Sequence, residues 1–589
     1  MAASNLIYDF IVCGGGTSGC VVAARLAEDP ATKVLLIEAG QHNENLENVF
    51  MVGGWSQNFD KETDWNVISV KSAGVNDRQI KLSRGKFLGG CSGCNGTLCV
   101  RGVRQDFDDW ELEGWSGDEF FKYMSKECLP SPTTRHSDPH AETFHGKDWF
   151  EADKEAHGYD GHLHTGLHDL APISDIIKES MISKGLPLNH DMFTHGRNSH
   201  GCGHAPRTVY KGLRTTGADF VTIPKHKGNL ELLVENHVNK VIIEKDENGE
   251  LKATGVRAVK ADGSVVELKA RKEVIVSGGT YCSPNILNRS GIGAKDELAK
   301  HGITTLVDLP GVGKNLQDHL IVFMFYETEK PGLTNDHLVY HGDALAKSYA
   351  LWKEQKAGFL STFPFGILAF ARLDQRLADS KVWNEAPRKE GRDPMGLAPS
   401  QPNIELFNTE CYGGPKDFDK FPIDGKHAFG IIAELFSPKS RGTVTLRNAD
   451  ATAIPVVDCN YLSDPLDVEV LAEACRFANE IITEGAGTKD VVKGSWPSDL
   501  THHTYKTRED WIPYVKENAT TCYHASGTCA MGKASDPNAV LDEKLVVKGV
   551  KSLRVADCSI MPKMNNGHTQ MPAYGIGEKA ADLIKATWT

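Results

Sequence analysis

The stretch that decides the fold is YDFIVCGGGTSGCVVAARL, residues 8–26, in which an apolar run leads into closely spaced glycines. A strand that ends at Cys13 would turn sharply at Gly14. Gly16 would let the backbone approach a pyrophosphate, and Gly19 would let the following helix pack closely on the sheet. The spacing of these glycines therefore predicts a phosphate-binding strand–turn–helix.

The elements that follow extend the same unit. The helix is predicted from about residue 17 to residue 27, and its free N–H groups and positive dipole end would face the pyrophosphate. A second strand is predicted over residues 33–38. Its last residue, Glu38, follows Gly19 by the spacing of a carboxylate that hydrogen-bonds an adenosine ribose. This order of elements predicts a dinucleotide-binding βαβ unit, and it leaves the choice between FAD and NAD open.

Length and composition describe a large globular protein. With 589 residues, the chain predicts two large domains, and a net charge of −13 argues against nucleic acid or an anionic membrane as a partner. No apolar run is long enough to span a membrane, and the first residues leave no room for a secretory signal. The C-terminus KATWT carries no peroxisomal address, and the 14 cysteines show no zinc-type pairing. We therefore predict a cytoplasmic protein with reduced thiols, and the sequence leaves its oligomeric state open.

Patterns further along the chain predict a mixed α/β fold. Residues 229–279 read as a meander of short strands with turns at ENGE and ADGS. The segment 320–515 mixes strand-like HAFGIIAELF and GTVTL with helix-like PLDVEVLAEACRFANEII. Residues 128–210 contain 11 of the 23 histidines, but their spacing matches no standard metal centre. No metal site is predicted.

Five blocks of sequence together resemble the glucose–methanol–choline (GMC) flavoprotein oxidoreductases. They follow one another in the family's order, which implies FAD rather than NAD as the cofactor. The blocks are the glycine fingerprint through Glu38, GKFLGGCSGCNG (85–96), GTYCSPNILNRSGIG (279–293), DLPGVGKNLQDH (308–319), and the C-terminal pair YHASGTCAMG (523–532) and LRVADCSIMPKMNNGHTQMPAYGIGEKAADLI (553–584).

The resemblance implies an FAD site assembled from distant parts of the chain. Glu38 would bind the adenosine ribose, Trp65 would lie against the adenine, and the backbone of Val238 would meet the adenine amino edge. Asp557 would accept from the ribityl chain or join the phosphate network. The implied cofactor-binding set is Gly14, Gly16, Thr17, Ser18, Gly19, Glu38, Ala39, Trp65, Gly90, Cys91, Cys94, Asn95, Gly96, Thr97, Leu98, Val238, Asp557, Thr569 and Gln570.

Two histidines in the last blocks are the catalytic candidates. The resemblance places His524 and His568 at the flavin N5, where a neutral imidazole, with a reference pKa near ~6.5, can take the alcohol proton. We assign His524 as the base and His568 as the partner that orients the same oxygen.

The second histidine also bears on the substrate. Formate-oxidising relatives carry an arginine at that position, so His568 favours a neutral alcohol or an aldehyde hydrate over an acid. Three nearby aromatic residues, Phe363, Phe365 and Phe370, could line an apolar pocket or could simply pack in the core.

The loop that precedes Asn95 raises the question of a covalent bond. The choline oxidases carry a flavin-linked histidine where this chain has Cys94, so a thiol occupies the tether position. The alternative is that Cys94 is a small buried residue beside the dimethylbenzene ring. We favour the second interpretation.

These observations predict an FAD-dependent enzyme that oxidises a primary alcohol, or an aldehyde hydrate, with O2 as the acceptor and hydrogen peroxide as the product. The alternatives are a dehydrogenase with a quinone or other acceptor and, from another class, a lyase or cyclase that keeps FAD structurally. The fold is predicted as α/β, with a Rossmann-like FAD domain and a second domain on a mixed or antiparallel sheet packed with helices. The predicted division is 1–165, 211–320 and 520–589 for the FAD domain, and 166–210 and 321–519 for the substrate domain.

Overall fold

Two seven-stranded sheets organise the chain. The structure is a computed structural model that describes residues 7–126, 153, 155–223, 228–413, 421–423 and 425–588. Part of the histidine-rich stretch, residues 127–152 and 154, lies outside the described residues.

The strands, numbered in chain order, are β1 (Ile7–Cys13), β2 (Val34–Ile37), β3 (Gly201–Gly203), β4 (Val209–Tyr210), β5 (Leu213–Arg214), β6 (Leu230–Leu233), β7 (Asn236–Lys245), β8 (Leu251–Lys260), β9 (Val265–Val276), β10 (Ile292–Gly293), β11 (Val307–Asp308), β12 (Leu320–Thr328), β13 (Phe365–Ala371), β14 (Ile404–Thr409), β15 (His427–Leu435), β16 (Thr443–Thr445), β17 (Val456–Asp458), β18 (Val492–Trp496), β19 (Thr520–Thr521) and β20 (Leu553–Val555).

The α-helices are α1 (Thr17–Leu26), α2 (Glu47–Phe50), α3 (Arg104–Asp108), α4 (Gly117–Met124), α5 (Pro172–Ser183), α6 (Met192–His195), α7 (Asp219–Thr222), α8 (Gly279–Arg289), α9 (Lys295–Lys300), α10 (Ala344–Gln355), α11 (Lys381–Glu385), α12 (Pro465–Glu484), α13 (Arg508–Asn518) and α14 (Gln570–Trp588).

The first sheet has the order β6-β2-β1-β9-β8-β7, with β20 paired to β9. Strands β6, β2, β1, β9 and β20 run parallel, whereas β7, β8 and β9 form an antiparallel meander. Strand β9 is long enough to serve both parts, since its first residues pair with β8 and its last residues pair with β1. The predicted βαβ unit and meander are confirmed.

Two glycines fix the tight connection between β1 and α1. Gly14 has a φ of +116°, and a Cβ there would lie 2.3 Å from the carbonyl oxygen of Ser277. A Cβ on Gly19 would lie 1.9 Å from the carbonyl oxygen of Gly14. The helix therefore packs on the end of the strand at a distance that only glycine permits.

The second sheet is antiparallel throughout, in the order β18-β12-β15-β14-β13-β3 with β19 paired to β12. Because successive side chains of a strand point to opposite faces, one face of β14 and β15 packs on α5, α12 and α13. The other face carries Phe407 and Ile432. Glu405 and Glu434, two residues away from these, lie on the same face. The predicted fold class is confirmed.

The division into domains stays a prediction. One observation bears on it: Val67, Val75, Ile80 and Leu82, within the predicted first FAD segment, pack in the core of the second sheet. Among the described residues, no helix is both long and apolar enough to cross a membrane.

Candidate active site

A single large cavity of about 1270 Å³ extends from the β1–α1 loop to the cavity-facing side of the second sheet. It exceeds the roughly 300–1,000 Å³ usual for small-ligand sites. Gly14 and Glu38 line one part, and Ile321, Phe323 and Phe407 line another. The cavity therefore offers room for a cofactor and a substrate side by side.

The structure brings together residues that lie hundreds of positions apart in the chain. With the exception of Gly19, every residue of the predicted cofactor-binding and catalytic sets lines this cavity. Gly19 is buried beneath the loop, where it allows α1 to approach Gly14. Its part in the site is therefore packing rather than contact with a ligand.

The glycine loops form a cradle that a side chain would fill. A Cβ on Gly16 would meet no atom within 4 Å, so this backbone faces open space. Gly90, with a φ of +53°, lies against it, since a Cβ on Gly90 would come 2.9 Å from the Cα of Gly16. The buried Oγ of Ser277 and Oδ1 of Asn285, both at the cavity wall, have no hydrogen-bond partner among the described residues. Open backbone and unpaired polar atoms fit a pyrophosphate and sugar.

Glu38 is buried at the end of β2. Its two oxygens accept backbone N–H groups from Gly15 and Gly40, each at 2.8 Å. Burial raises the pKa of Glu38 to about 7, against the lowering effect of these hydrogen bonds. The carboxyl group is thus fixed in orientation at the position predicted for the ribose contact.

A second group of predicted residues lies where the adenine is expected. Trp65 packs edge-on against His237, with ring centroids 5.6 Å apart, and Val238 follows on β7. The ladder between β7 and β8 is irregular just after Val238. All three residues line the cavity.

Asn95 joins the loop to the C-terminal helix. Its Nδ2 donates to Oε1 of Gln570, the first residue of α14, and its Oδ1 accepts the backbone N–H of Thr97 at 2.9 Å. Arg214, which sequence reasoning missed, donates to the carbonyl oxygen of Asn95 at 2.7 Å. Thr569 and Gln570 therefore stand at the positive end of a 19-residue helix that opens on the cavity.

Asp557 lines the cavity, but its oxygens are already engaged. Oδ2 accepts the backbone N–H of Gly279 at 2.9 Å and the hydroxyl of Ser283 at 2.6 Å, and Oδ1 accepts the backbone N–H of Ser559 at 2.8 Å. Asp557 thus fixes the N-terminal turn of α8. A ribityl or phosphate contact by Asp557 stays a prediction.

The two candidate histidines meet in space. The ring centroids of His524 and His568 lie 4.7 Å apart, and both rings line the cavity. Asp318 holds the backbone N–H of His524 at 2.8 Å, and Tyr461 donates to the same carboxylate at 2.5 Å. These contacts hold the His524 loop in place, with its imidazole beside that of His568.

Three residues behind the histidines were not predicted. Glu405 lies 2.7 Å from Nε2 of His568, while Glu434 lies 3.2 Å from Nδ1 of His524 and 3.0 Å from Nδ1 of His319. The signal for both glutamates was a lone acid inside an otherwise apolar strand, in NIELF and IIAELF. His319 lay at the end of a recognised block, but nothing in that block indicated its partner.

The environment keeps both cavity-lining imidazoles neutral. Burial lowers the pKa of His524 to about 4, although the hydrogen bond with Glu434 acts in the opposite direction. Burial also lowers the pKa of His568. Near neutral pH each ring therefore has one free lone pair, as a proton acceptor requires. We assign no metal to these imidazoles and carboxylates.

The wall beside the histidines is aromatic. Phe407 meets His568 at a centroid distance of 6.2 Å and Phe365 at 5.0 Å. Phe363 continues the series, 4.5 Å from Phe365. These three rings line the cavity, whereas Phe370 packs in the core 4.9 Å from Phe193. The sequence alone did not separate these two roles.

Cys91 and Cys94 both line the cavity on the loop after Gly90. Cys94 is buried against Val49 and Phe87, as expected of a small space-filling residue. The hydrogen bond with Cys94, and then the charge of Arg84, lower the pKa of Cys91 to about 6 against the effect of burial. The geometry is compatible with either interpretation of Cys94.

Comparison with known proteins identifies the family. Two family models, both described as GMC oxidoreductase, match residues 8–321 and 438–577. The FAD- and quinone-dependent glucose dehydrogenase of Drosophila pseudoobscura pseudoobscura is 31% identical, over 99% of this chain and 87% of the relative. The oxygen-dependent choline dehydrogenase of Vibrio vulnificus is 31% identical, over 98% and 94%.

Solved structures agree. A formate oxidase variant from Aspergillus oryzae RIB40 has a TM-score of 0.88 and 30% identity, over 100% of this chain and 99% of its own. A fungal aryl-alcohol oxidase, at 23% identity and a TM-score of 0.76, shares the fold over 99% of both chains. The chain therefore belongs to the GMC oxidoreductase family, as an FAD-dependent enzyme that acts on CH–OH groups.

Proposed function

We propose that the enzyme oxidises a neutral, apolar primary alcohol to the carbonyl compound and passes the electrons to O2. The observation that carries this proposal is the pair of neutral imidazoles, His524 and His568, 4.7 Å apart on the wall of the cavity. An alcohol oxygen between two such rings can lose its proton to one and accept a hydrogen bond from the other.

FAD, when bound, supplies the group that accepts the hydride from the alcohol carbon. The residues proposed to hold it are those of the cradle: Gly16 and Gly90 by open backbone, Glu38 by its fixed carboxyl, and Trp65 and Val238 at the adenine end. The start of α14 presents the N–H groups of a helix terminus, which favour negative charge.

The protein's own part in the reaction is proton transfer and orientation. His524, whose Nδ1 lies 3.0 Å from Nδ1 of His319 and 3.2 Å from Glu434, has Nε2 left to take the alcohol proton. His568 fixes the angle of the alcohol oxygen. Phe407 and Phe365 place apolar surface beside His568, and a substrate that fills this space would exclude water and strengthen each hydrogen bond made there.

The wall also supports a substrate class. Phe363, Phe365 and Phe407 offer apolar surface and ring edges, and an apolar or aromatic alcohol would bury its own surface against them. A sugar would lose hydrogen bonds to water that these rings cannot replace. Arg207 donates through Nη2 to the carbonyl oxygens of Phe365 and Gly366, and it is not among the described residues that line the cavity. A carboxylate substrate is therefore not favoured.

Anaerobic mixing with a panel of alcohols tests the proposal. Benzyl alcohol, a short aliphatic alcohol, glucose and choline are added separately to the oxidised holoenzyme, and the visible flavin absorption is followed. Bleaching fastest with benzyl alcohol is the expected result. Bleaching by glucose or choline alone would overturn the substrate class. Bleaching by none of a broad alcohol set would favour the non-redox alternative.

The electron acceptor is decided in the second half of the experiment. Air is admitted to the reduced enzyme, and hydrogen peroxide and the return of flavin absorption are measured. Fast reoxidation with one peroxide per substrate supports an oxidase. Slow reoxidation in air, with fast reoxidation by a quinone, would instead support the dehydrogenase alternative, which the glucose dehydrogenase relative makes a specific candidate.

A further inference from the structure

Each cavity-lining imidazole is held by a buried glutamate, and the two glutamates face one another. Glu405 and Glu434 are directly opposed residues on the antiparallel strands β14 and β15. Both are fully buried. Glu405 reaches Nε2 of His568 at 2.7 Å, and Glu434 reaches Nδ1 of His524 at 3.2 Å. The pair therefore links the two rings through the sheet behind them.

Oxygens of the two carboxyl groups lie within 4.8 Å of one another. Two carboxyl groups at this distance and out of water do not both ionise. Burial and then the charge of Glu434 raise the pKa of Glu405 well above its usual range. Burial acts the same way on Glu434, but hydrogen bonds with His319 and His524 outweigh it and hold the pKa of Glu434 well below its usual range. From these two directions we assign the proton of the pair to Glu405 and the negative charge to Glu434.

The other titratable groups around the pair come from several elements, and they do not change which of the two glutamates is charged. Cys522 donates from Sγ to Oε2 of Glu434 at 3.4 Å, and burial raises its thiol pKa, so it stays neutral. Arg207 faces Glu405, and its pKa, lowered by burial to about 10, leaves it charged near neutral pH. The titratable and charged groups that face the pair are His319, His524, His568, Cys522 and Arg207.

On the basis of the proposed function, we propose that Glu405 and Glu434 are positioning residues that give the two histidines opposite roles. The Glu434 carboxylate, rather than Nδ1 of His319 at 3.0 Å, accepts Nδ1–H of His524, which leaves the lone pair on Nε2. Glu405, as the acid, donates its O–H to Nε2 of His568, which places that ring's N–H on Nδ1. His524 then accepts the alcohol proton, and His568 donates a hydrogen bond to the alcohol oxygen.

The proton count of the step is simple. The O–H bond of the alcohol breaks, and an N–H bond forms at Nε2 of His524. The resulting imidazolium keeps its Nδ1–H on the carboxylate of Glu434, which stabilises the new positive charge. Glu405 keeps its own proton throughout.

Two isosteric variants separate this proposal from a purely structural role. Glu434→Gln removes the negative charge, and we expect flavin reduction by alcohol to fall at least about tenfold, because the carboxylate that favours the Nδ1–H tautomer of His524 is lost. We also expect the acid limb of its pH profile to move to lower pH. Glu405→Gln keeps an N–H donor toward His568, so we expect its loss of flavin reduction to be smaller than that of Glu434→Gln. Equal losses in the two variants would overturn the proposal.

Glu410→Gln is the matched control. Glu410 is also buried, accepts from the backbone N–H of Ala171 at 2.7 Å and from Ser174 at 2.8 Å, and holds neither catalytic histidine. Thermal unfolding and FAD content of all three variants show whether a change is structural. A loss of reduction in Glu410→Gln as large as that in Glu434→Gln would contradict a specific role.

A measurement without catalysis tests the tautomers directly. In ¹⁵N-histidine-labelled holoenzyme, two-bond nitrogen–proton correlations should show both His524 and His568 with the proton on Nδ1, with assignments from single His→Gln variants. A proton on Nε2 of either ring overturns the proposal. If instead no alcohol reduces the flavin while both rings show the Nδ1–H tautomer, the proposed function has failed and the tautomer assignment stands.

Discussion

Gly90 lies against Gly16 so closely that a Cβ on Gly90 would come 2.9 Å from the Gly16 Cα, although the two belong to loops 74 residues apart. Their contact forms the backbone cradle proposed for the pyrophosphate. On its other side Gly16 is open, with room for a side chain. A side chain at position 16 should therefore block cofactor binding without disturbing the fold.

Gly16→Val should therefore give a folded protein without FAD. The valine Cβ meets no protein atom within 4 Å, and the side chain would occupy the place proposed for the pyrophosphate. The measurements are the ratio of flavin to protein absorbance and the far-UV circular dichroism spectrum. Gly19→Ala is the contrast, because its Cβ meets the carbonyl oxygen of Gly14 and should impair folding itself. Gly16→Val with a full complement of FAD would contradict the site.

His524→Ala should bind FAD normally and lose flavin reduction by about 10²–10⁴-fold, the usual contribution of a general base. Anaerobic stopped-flow reduction by a saturating alcohol measures it. His200→Ala, at an exposed position, is the control and should reduce at the normal rate. Reduction of the His524 variant at an unchanged rate would remove this residue from the mechanism.

The reduction rate should be independent of pH from neutral down to about 5 and should fall at lower pH. His524 must be neutral to accept a proton, and burial lowers its pKa from 6.5 to about 4. Below that value, protonation should slow reduction about tenfold per pH unit. Initial reduction rates in pH-jump mixing give the profile. A fall centred near 6.5 would show that the ring is not in the buried environment described.

The same shift predicts acid lability. Folding lowers the pKa of His524, so between pH 6.5 and about 4 the unfolded chain binds a proton that the folded protein does not. This group therefore costs no stability above pH 6.5, and the protein loses stability as the pH falls toward about 4. The free energy of unfolding should decline across this window by at most about 1.4 kcal/mol per pH unit from this group. Urea unfolding of wild type and His524→Ala at several pH values isolates its share. Parallel curves for the two proteins would contradict the assignment.

Phe363→Ala should weaken the use of benzyl alcohol and spare a short aliphatic alcohol. The ring lies in the aromatic series beside His568, and losing its contact should lower kcat/KM for benzyl alcohol about tenfold. Phe370→Leu is the control, since this core ring lies away from the cavity wall. It should cost about 1 kcal/mol of stability without changing the ratio between the two alcohols. Equal losses for both alcohols in Phe363→Ala would argue against the wall as a specificity element.

FAD should be released when the protein is denatured with acid, because Cys94 is expected to fill space rather than to bond the flavin. A yellow supernatant over a white pellet is the expected result, and Cys94→Ser should behave in the same way. A yellow pellet containing a peptide heavier by the mass of the flavin would establish the tether instead. The same peptide from Cys94→Ser should then lose the added mass.

The sequence by itself determined the elements that depend on local spacing. Gly14 and Gly19 fixed the first turn, because the positive φ of Gly14 and close approach of the backbone at both positions restrict them to glycine, whereas Gly16 leaves open space beside the backbone. Glu38 followed from its spacing after Gly19, which matches that of a ribose-binding carboxylate in a βαβ unit. The histidines were found because each stands in a recognisable block of sequence.

Tertiary structure alone decided which distant residues meet. Glu405 and Glu434 stand in apolar strands with no local motif, and their opposition depends on the register of β14 against β15. Likewise Phe363 reaches the cavity and Phe370 the core because side-chain direction depends on the position of each residue along the chain and on what covers each face. Contacts between residues far apart in the chain are set by sheet pairing and packing, which local spacing does not encode.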